Sequence, residues 1–98
     1  MAYDPGAIDA TLAAAVGNEP GLIAELRVAF HESAERALRL MEQASGEPAW
    51  REAAGRLKGL AASFGAVRLL ALAADAADHP VGDEATLRRL RRAVDRLA

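Results

Sequence analysis

Apolar and polar positions along the 98-residue chain alternate at spacings of three and four, which is the period of a helix and not the two-residue period of a strand. The pattern is clearest between Ala49 and Ala66. There Trp50, Ala53, Leu57, Leu60 and Phe64 fall on one stripe. With Leu57 as the centre of that stripe and about 100° per residue, Gly55 points about 160° away on one side and Gly59 about 160° away on the other. Ala62 lies on the same outward side, and Arg51 and Lys58 flank it. The segment is expected to bury large side chains on one face and to bare a strip of backbone edged by cations on the other. Each glycine inside a helix costs about 0.5–1 kcal/mol relative to alanine, so stability alone gives no reason for two of them.

The same period predicts the remaining elements. Asp4-Pro5 suits a helix start, and Ile8, Leu12, Ala15 and Val16 then predict a short helix closed by a left-handed cap at Gly17. Asn18, with Pro20 in the first turn, is the expected cap of a long second helix reaching about Ala44. Its expected apolar face is Leu22, Leu26, Ala29, Phe30, Ala37, Leu40 and Met41, with Glu32–Arg36 and Glu35–Arg39 as i,i+4 pairs on the wet side. Ser45-Gly46-Glu47-Pro48 reads as a turn, and Pro48 opens the third helix. Gly65 reads as its C-cap. A fourth helix is expected from Val67 to about Ala77, stopping before His79-Pro80. Asp83 is expected to cap a last helix that buries Leu87, Leu90, Val94 and Leu97. The fold expected is all-α: one domain over residues 1–98, an antiparallel four-helix bundle with a short additional N-terminal helix as a lid over one end.

Composition narrows the chemistry. The chain lacks cysteine, which excludes disulfides, zinc–thiolate sites and thiol nucleophiles. Apolar runs fall short of the roughly 20 residues that span a bilayer, and Tyr3, Asp4 and Pro5 do not read as a signal peptide; a cytoplasmic protein is expected. A formal charge of −2 and four aromatic residues give no general attraction to nucleic acid or anionic membranes and no stacking platform. His31, about 180° from Leu22, reads as a surface histidine without a second ligand at helical spacing. His79 lies in a turn, and Asp75 and Asp78 alone make a poor metal site. No metal or cofactor is therefore expected. Arg88, Arg89, Arg91, Arg92 and Arg96 make the last helix basic. They offset the helix dipole and cover alanine-rich core edges with their stems; a docking patch for an acidic partner is the alternative.

Lys58 stands apart, because a cation one turn from an exposed small residue is placed to meet an incoming anion. Around it, Ala53-Ala54-Gly55-Arg56-Leu57-Lys58-Gly59, then Ala61-Ala62-Ser63-Phe64-Gly65-Ala66 and Leu69, resemble the signature of histidine-containing phosphotransfer (HPt) domains, roughly A-H-x-L-K-G-S-A-x-x-x-G-A-x-x-L. The similar portion proper runs from Trp50 to Leu72. In that family an exposed histidine midway along a bundle helix takes a phosphoryl group from a receiver-domain aspartate and passes it on. A lysine three residues later supports the phosphoryl group, and the next glycine lets the receiver approach. The resemblance places Lys58 and Gly59 in the last two roles and Gly55 in the histidine position. Leu60 replaces the family's usual small polar residue.

Glycine cannot hold a phosphoramidate, and Arg56 and Lys58 are protonated near neutral pH. The resemblance thus implies a module of two-component signalling that docks a receiver or a histidine kinase without relaying phosphate, and not an enzyme. Its docking residues would be Arg51, Gly55, Arg56, Lys58, Gly59 and Ala62. Both a natural loss and a deliberate His-to-Gly replacement fit Gly55. A phosphotransfer protein working through His31 and a structural helical module that dimerises through alanine-rich faces are the other readings. Monomer and homodimer are both compatible with the sequence.

Overall fold

The computed structural model describes residues 5–17 and 19–97. Five helices account for its regular structure: α1 (Pro5–Val16), α2 (Pro20–Gln43), α3 (Glu47–Phe64), α4 (Val67–Ala76) and α5 (Glu84–Asp95). No strand occurs among the described residues.

Local chemistry sets most helix ends. Gly17 ends α1 at φ 82°, a left-handed conformation that glycine adopts without a Cβ penalty, and its N–H donates to the Ala13 carbonyl at 2.8 Å. Pro20 occupies the first turn of α2, where a missing N–H costs nothing. Gly65 ends α3 at φ 70°. The N–H of Ala66 returns to the Ala61 carbonyl at 2.9 Å and that of Gly65 to Ala62 at 3.4 Å, which closes the last turn as a Schellman motif. Asp83 caps α5: its Oδ2 accepts from the Thr86 N–H at 3.0 Å and the Thr86 hydroxyl at 2.6 Å. Those two donors hold the Asp83 carboxyl below its ordinary pKa. Asp4 and Asn18, the expected caps of the first two helices, lie outside the described residues; Glu19 is the residue before α2 and makes no side-chain cap.

The helices pack in a closed circuit, α2 on α3, α3 on α4, α4 on α5 and α5 back on α2. Helix α1 touches α2 and α3 and adds Ile8 and Leu12 to the core. Phe30 of α2 stacks on Phe64 of α3 with ring centres 4.5 Å apart, so the early part of α2 meets the end of α3. Trp50, at the start of α3, is fully buried. Its indole N–H donates to the Ala76 carbonyl at the end of α4 at 2.9 Å. Consecutive helices therefore run antiparallel at both seams. Leu38, Met41, Leu57, Leu69, Leu90 and Val94 fill the centre, with alanines at the crossings letting the backbones approach.

Polar clamps tie the outer edges. Arg91 of α5 donates from Nη1 to both Glu35 oxygens at 2.6 and 2.8 Å, and from Nη2 to Glu42 at 3.4 Å. This hydrogen bonding lowers the Glu35 pKa and raises that of Arg91. Arg27 pairs with Asp9 at 2.7 Å, joining α2 to α1.

Helix α2 departs from the sequence reading. Leu22, Ala29 and Leu40 are exposed, whereas Ala34 and Leu38 are buried; in α1, Ala15 is exposed. The covered stripe, Phe30, Ala34, Ala37, Leu38 and Met41, is rotated from the expected one: at about 100° per residue Leu22, Ala29 and Leu40 all lie about 100–125° from its centre on one flank. The i,i+4 pairs expected on α2 do not form. Glu35 turns to Arg91, and the Arg36 guanidinium donates to the Ser33 hydroxyl at 3.1 Å. Among the described residues no helix is long and apolar enough to cross a membrane.

Candidate functional site

The outward side of α3 carries the residues singled out by the sequence. The buried stripe is Trp50, Ala53, Ala54, Leu57 and Ala61, with Leu60 and Phe64 partly covered. Helical geometry then turns Arg51, Gly55, Lys58 and Ala62 to the opposite side, and all four are exposed, as are Arg56 and Gly59. A Cβ built at Gly55 or at Gly59 meets no atom within 4 Å. The strip is thus open space, and nothing inside the fold requires glycine there. These two glycines differ in kind from Gly17 and Gly65, whose positive φ angles do require it.

Arg51, Arg56 and Lys58 make no ion pair within 4 Å among the described residues. Glu52 shares this side of α3 one turn from Arg56 but lies beyond pairing distance of it. Unpaired exposed cations raise the local positive potential, and they keep all their hydrogen-bond donors available to an incoming anion.

Beside the strip, α2 and α3 flank an open groove of about 720 Å³. Arg56 and Gly59 belong to both features. Facing them on α2 are Arg36, Arg39, Leu40 and Gln43. Sequence reasoning missed this groove. The apolar pattern assigns Leu40 to the core and pairs Arg36 and Arg39 with glutamates, whereas the register that opposes Arg36 and Arg39 to Arg56 is a property of tertiary packing. A usable signal was present: Ser33, Arg36, Leu40 and Gln43 recur at three, four and three along α2, beside the buried stripe.

The other candidates sit elsewhere. His31 lies about 140° around α2 from Arg36, with Nε2 3.9 Å from Glu35 Oε2 on the side clamped to α5. It is partly covered rather than freely exposed, and the strip of α3 is not within its surroundings. His79 Nε2 is 2.9 Å from Asp75 Oδ2, which ties the end of α4 to the following turn. Of the basic residues of the last helix, Arg91 is the structural clamp, while Arg88 and Arg92 remain exposed. No group of three or more metal-ligating side chains occurs among the described residues.

The arrangement offers steric access and positive charge at the Gly55 position, with no nucleophile there. Comparison of the chain with models of known families, with characterised proteins and with solved structures found no match.

Proposed function

We propose that the chain is an HPt-like module of two-component signalling that binds a response-regulator receiver domain, or a histidine kinase, through the outward side of α3, without accepting phosphate at position 55. In this reading the circuit of α2 to α5 is an antiparallel four-helix bundle of the HPt kind, with α1 as the additional N-terminal helix. One observation carries the proposal. The strip of Gly55, Gly59 and Ala62 is exposed and free of overlying atoms, and the unpaired cations Arg51, Arg56 and Lys58 border it. Among those positions Lys58 and Gly59 match the lysine and glycine of the signature that this stretch resembles, and Gly55 holds the place of its histidine.

The physical logic follows from the site. In the family that the stretch resembles, a receiver presents an aspartate or its acyl phosphate, so a partner needs little bulk and positive charge beside that anion. Absence of side chains at positions 55 and 59 permits the approach, and the three cations stabilise the anion. Each exposed charge contact is worth a few tenths to about 1 kcal/mol. Useful affinity therefore needs a wider contact, about 800 Å² from each partner. Phosphoryl transfer stops at this point, because no lone pair on a side chain stands at position 55 to attack phosphorus. The module acts as a competitor or tether for relay components in the cytoplasm, with no cofactor.

The test is a binding screen against receiver domains encoded in the same genome, comparing the natural chain with Gly59→Trp. An indole at an open helical site leaves the helical circular dichroism unchanged and abolishes binding. Retention of tight binding by Gly59→Trp sinks the proposed docking face.

A further inference from the structure

We infer that the groove between α2 and α3 is a seat for an acidic amphipathic helix of a partner protein, bound by helix-in-groove packing. The inference stands on the groove itself and does not depend on the receiver reading.

Three features of the groove define its occupant. Its floor is apolar: Leu40 is 45% exposed although it lies between two packed helices, and Leu60 is only partly covered. Leaving such side chains in water forfeits burial that a partner's apolar face recovers. Its rim is cationic, with Arg36 and Arg39 on one wall and Arg56 on the other. No aspartate or glutamate among the described residues lines it. No carboxylate among the described residues lies within 4 Å of these guanidinium groups, although Glu32 and Glu52 stand one turn from Arg36 and Arg56, and for Arg39 the reason is structural. Glu35, the carboxylate one turn before Arg39, is held by Arg91 across the seam to α5 at 2.6 and 2.8 Å. Arg39 and Arg56 are left without an ion pair within 4 Å, and Arg36 has only the Ser33 hydroxyl.

The dimensions select a helix. From Ser33 to Gln43 the α2 wall runs about 15 Å, and from Arg56 to Ser63 the α3 wall runs about 10 Å. Both walls present positions at three- and four-residue spacing, into which the ridge of a third helix of about three turns fits. Glycine at position 59 lowers the α3 wall and admits the backbone of that helix. The occupant therefore carries leucine-like anchors on one face and aspartate or glutamate on both flanks, to meet guanidinium groups from α2 and α3 at once.

Two fluorescein-labelled synthetic helices of about four turns test this. They share leucines at i, i+3 and i+7 and differ in flanking residues, glutamate in one and lysine in the other. Fluorescence anisotropy is expected to show binding of the glutamate probe, about tenfold or more above the lysine probe, weakening as salt rises. The triple variant Arg36→Gln, Arg39→Gln, Arg56→Gln, checked for unchanged circular dichroism, is expected to lose most of that preference. Amide shifts in a titration of the natural chain should centre on Leu40, Gly59 and Leu60. Equal binding of both probes, no binding of either, or shifts centred elsewhere each overturn the inference. So does sedimentation of the chain alone as a dimer that Leu40→Glu dissolves, because a second copy then fills the groove.

Discussion

Replacing Gly55 and Gly59 together with alanine separates a functional reason for these glycines from a structural one. Both residues lie inside α3, neither has a positive φ, and a Cβ at either meets no atom within 4 Å. The substitution thus adds no clash and buries no new surface. Its effect reduces to backbone entropy and helix propensity, about 0.5–1 kcal/mol at each site and about 1–2 kcal/mol for the pair. For a domain of this size, 1 kcal/mol moves the melting temperature by about 4–8 °C. Thermal unfolding followed by circular dichroism should therefore show a rise of roughly 4–16 °C. Urea unfolding should show a higher midpoint at unchanged slope. Gly65→Ala is the internal control: at φ 70° the same change opposes the backbone, and the melting temperature should fall. An unchanged or lowered melting temperature for the double alanine variant would refute the reasoning, because the strip would then need its glycines for the fold.

Two further perturbations probe the frame that presents the strip. Trp50→Phe removes the indole donor to the Ala76 carbonyl and leaves space at a fully buried site. It should cost about 2 kcal/mol in urea unfolding; the loss is held down because that carbonyl keeps the His79 N–H. Arg91→Met should lower stability by about 1 kcal/mol at neutral pH, a modest figure because the pair is partly solvated, and should alter the pH profile. The Glu35 pKa is depressed from 4.5 in the folded chain by Arg91. Its stabilisation is therefore present above about pH 4.5 and is lost as pH falls through the folded value. Urea midpoints measured from neutral to acid pH should fall less steeply below that point in Arg91→Met than in the natural chain. Parallel acid limbs would contradict this role for the clamp.

Local chemistry made much of the fold legible. Trp50, Ala53, Leu57, Leu60 and Phe64 defined the inner side of α3 because a 3.6-residue period leaves one solution for their common face. Gly65 and Asp83 marked helix ends through requirements of their own backbones, a left-handed turn and a free carboxylate. The outward position of Gly55, Gly59, Lys58 and Ala62 followed from the same geometry. What could not be read depended on other helices. Leu40 belongs to the broad apolar face of α2 but is bared, although Leu38 and Met41 on either side of it in sequence are buried, since which side of a broad face is covered depends on where the neighbouring helices sit around it. Glu35 has Arg39 four residues away and Arg91 56 residues away; it chooses the distant one, whose Nη1 reaches both carboxylate oxygens. That choice frees Arg39 and, with the register of α2 on α3, creates the cationic groove.

The docking role proposed for α3 also has a chemical consequence at position 55. An exposed helical site with nothing within 4 Å accepts an imidazole without strain, so Gly55→His should fold at least as stably as the natural chain. The decisive measurement incubates both proteins with radiolabelled, phosphorylated receiver domains from the same genome and follows acid-labile, base-stable label. The expected result is label on Gly55→His from at least one receiver and none on the natural chain. A folded Gly55→His variant that takes no label from any receiver, or a natural chain that takes label equally well, would contradict the reading of α3 as a phosphorelay docking face with its acceptor missing.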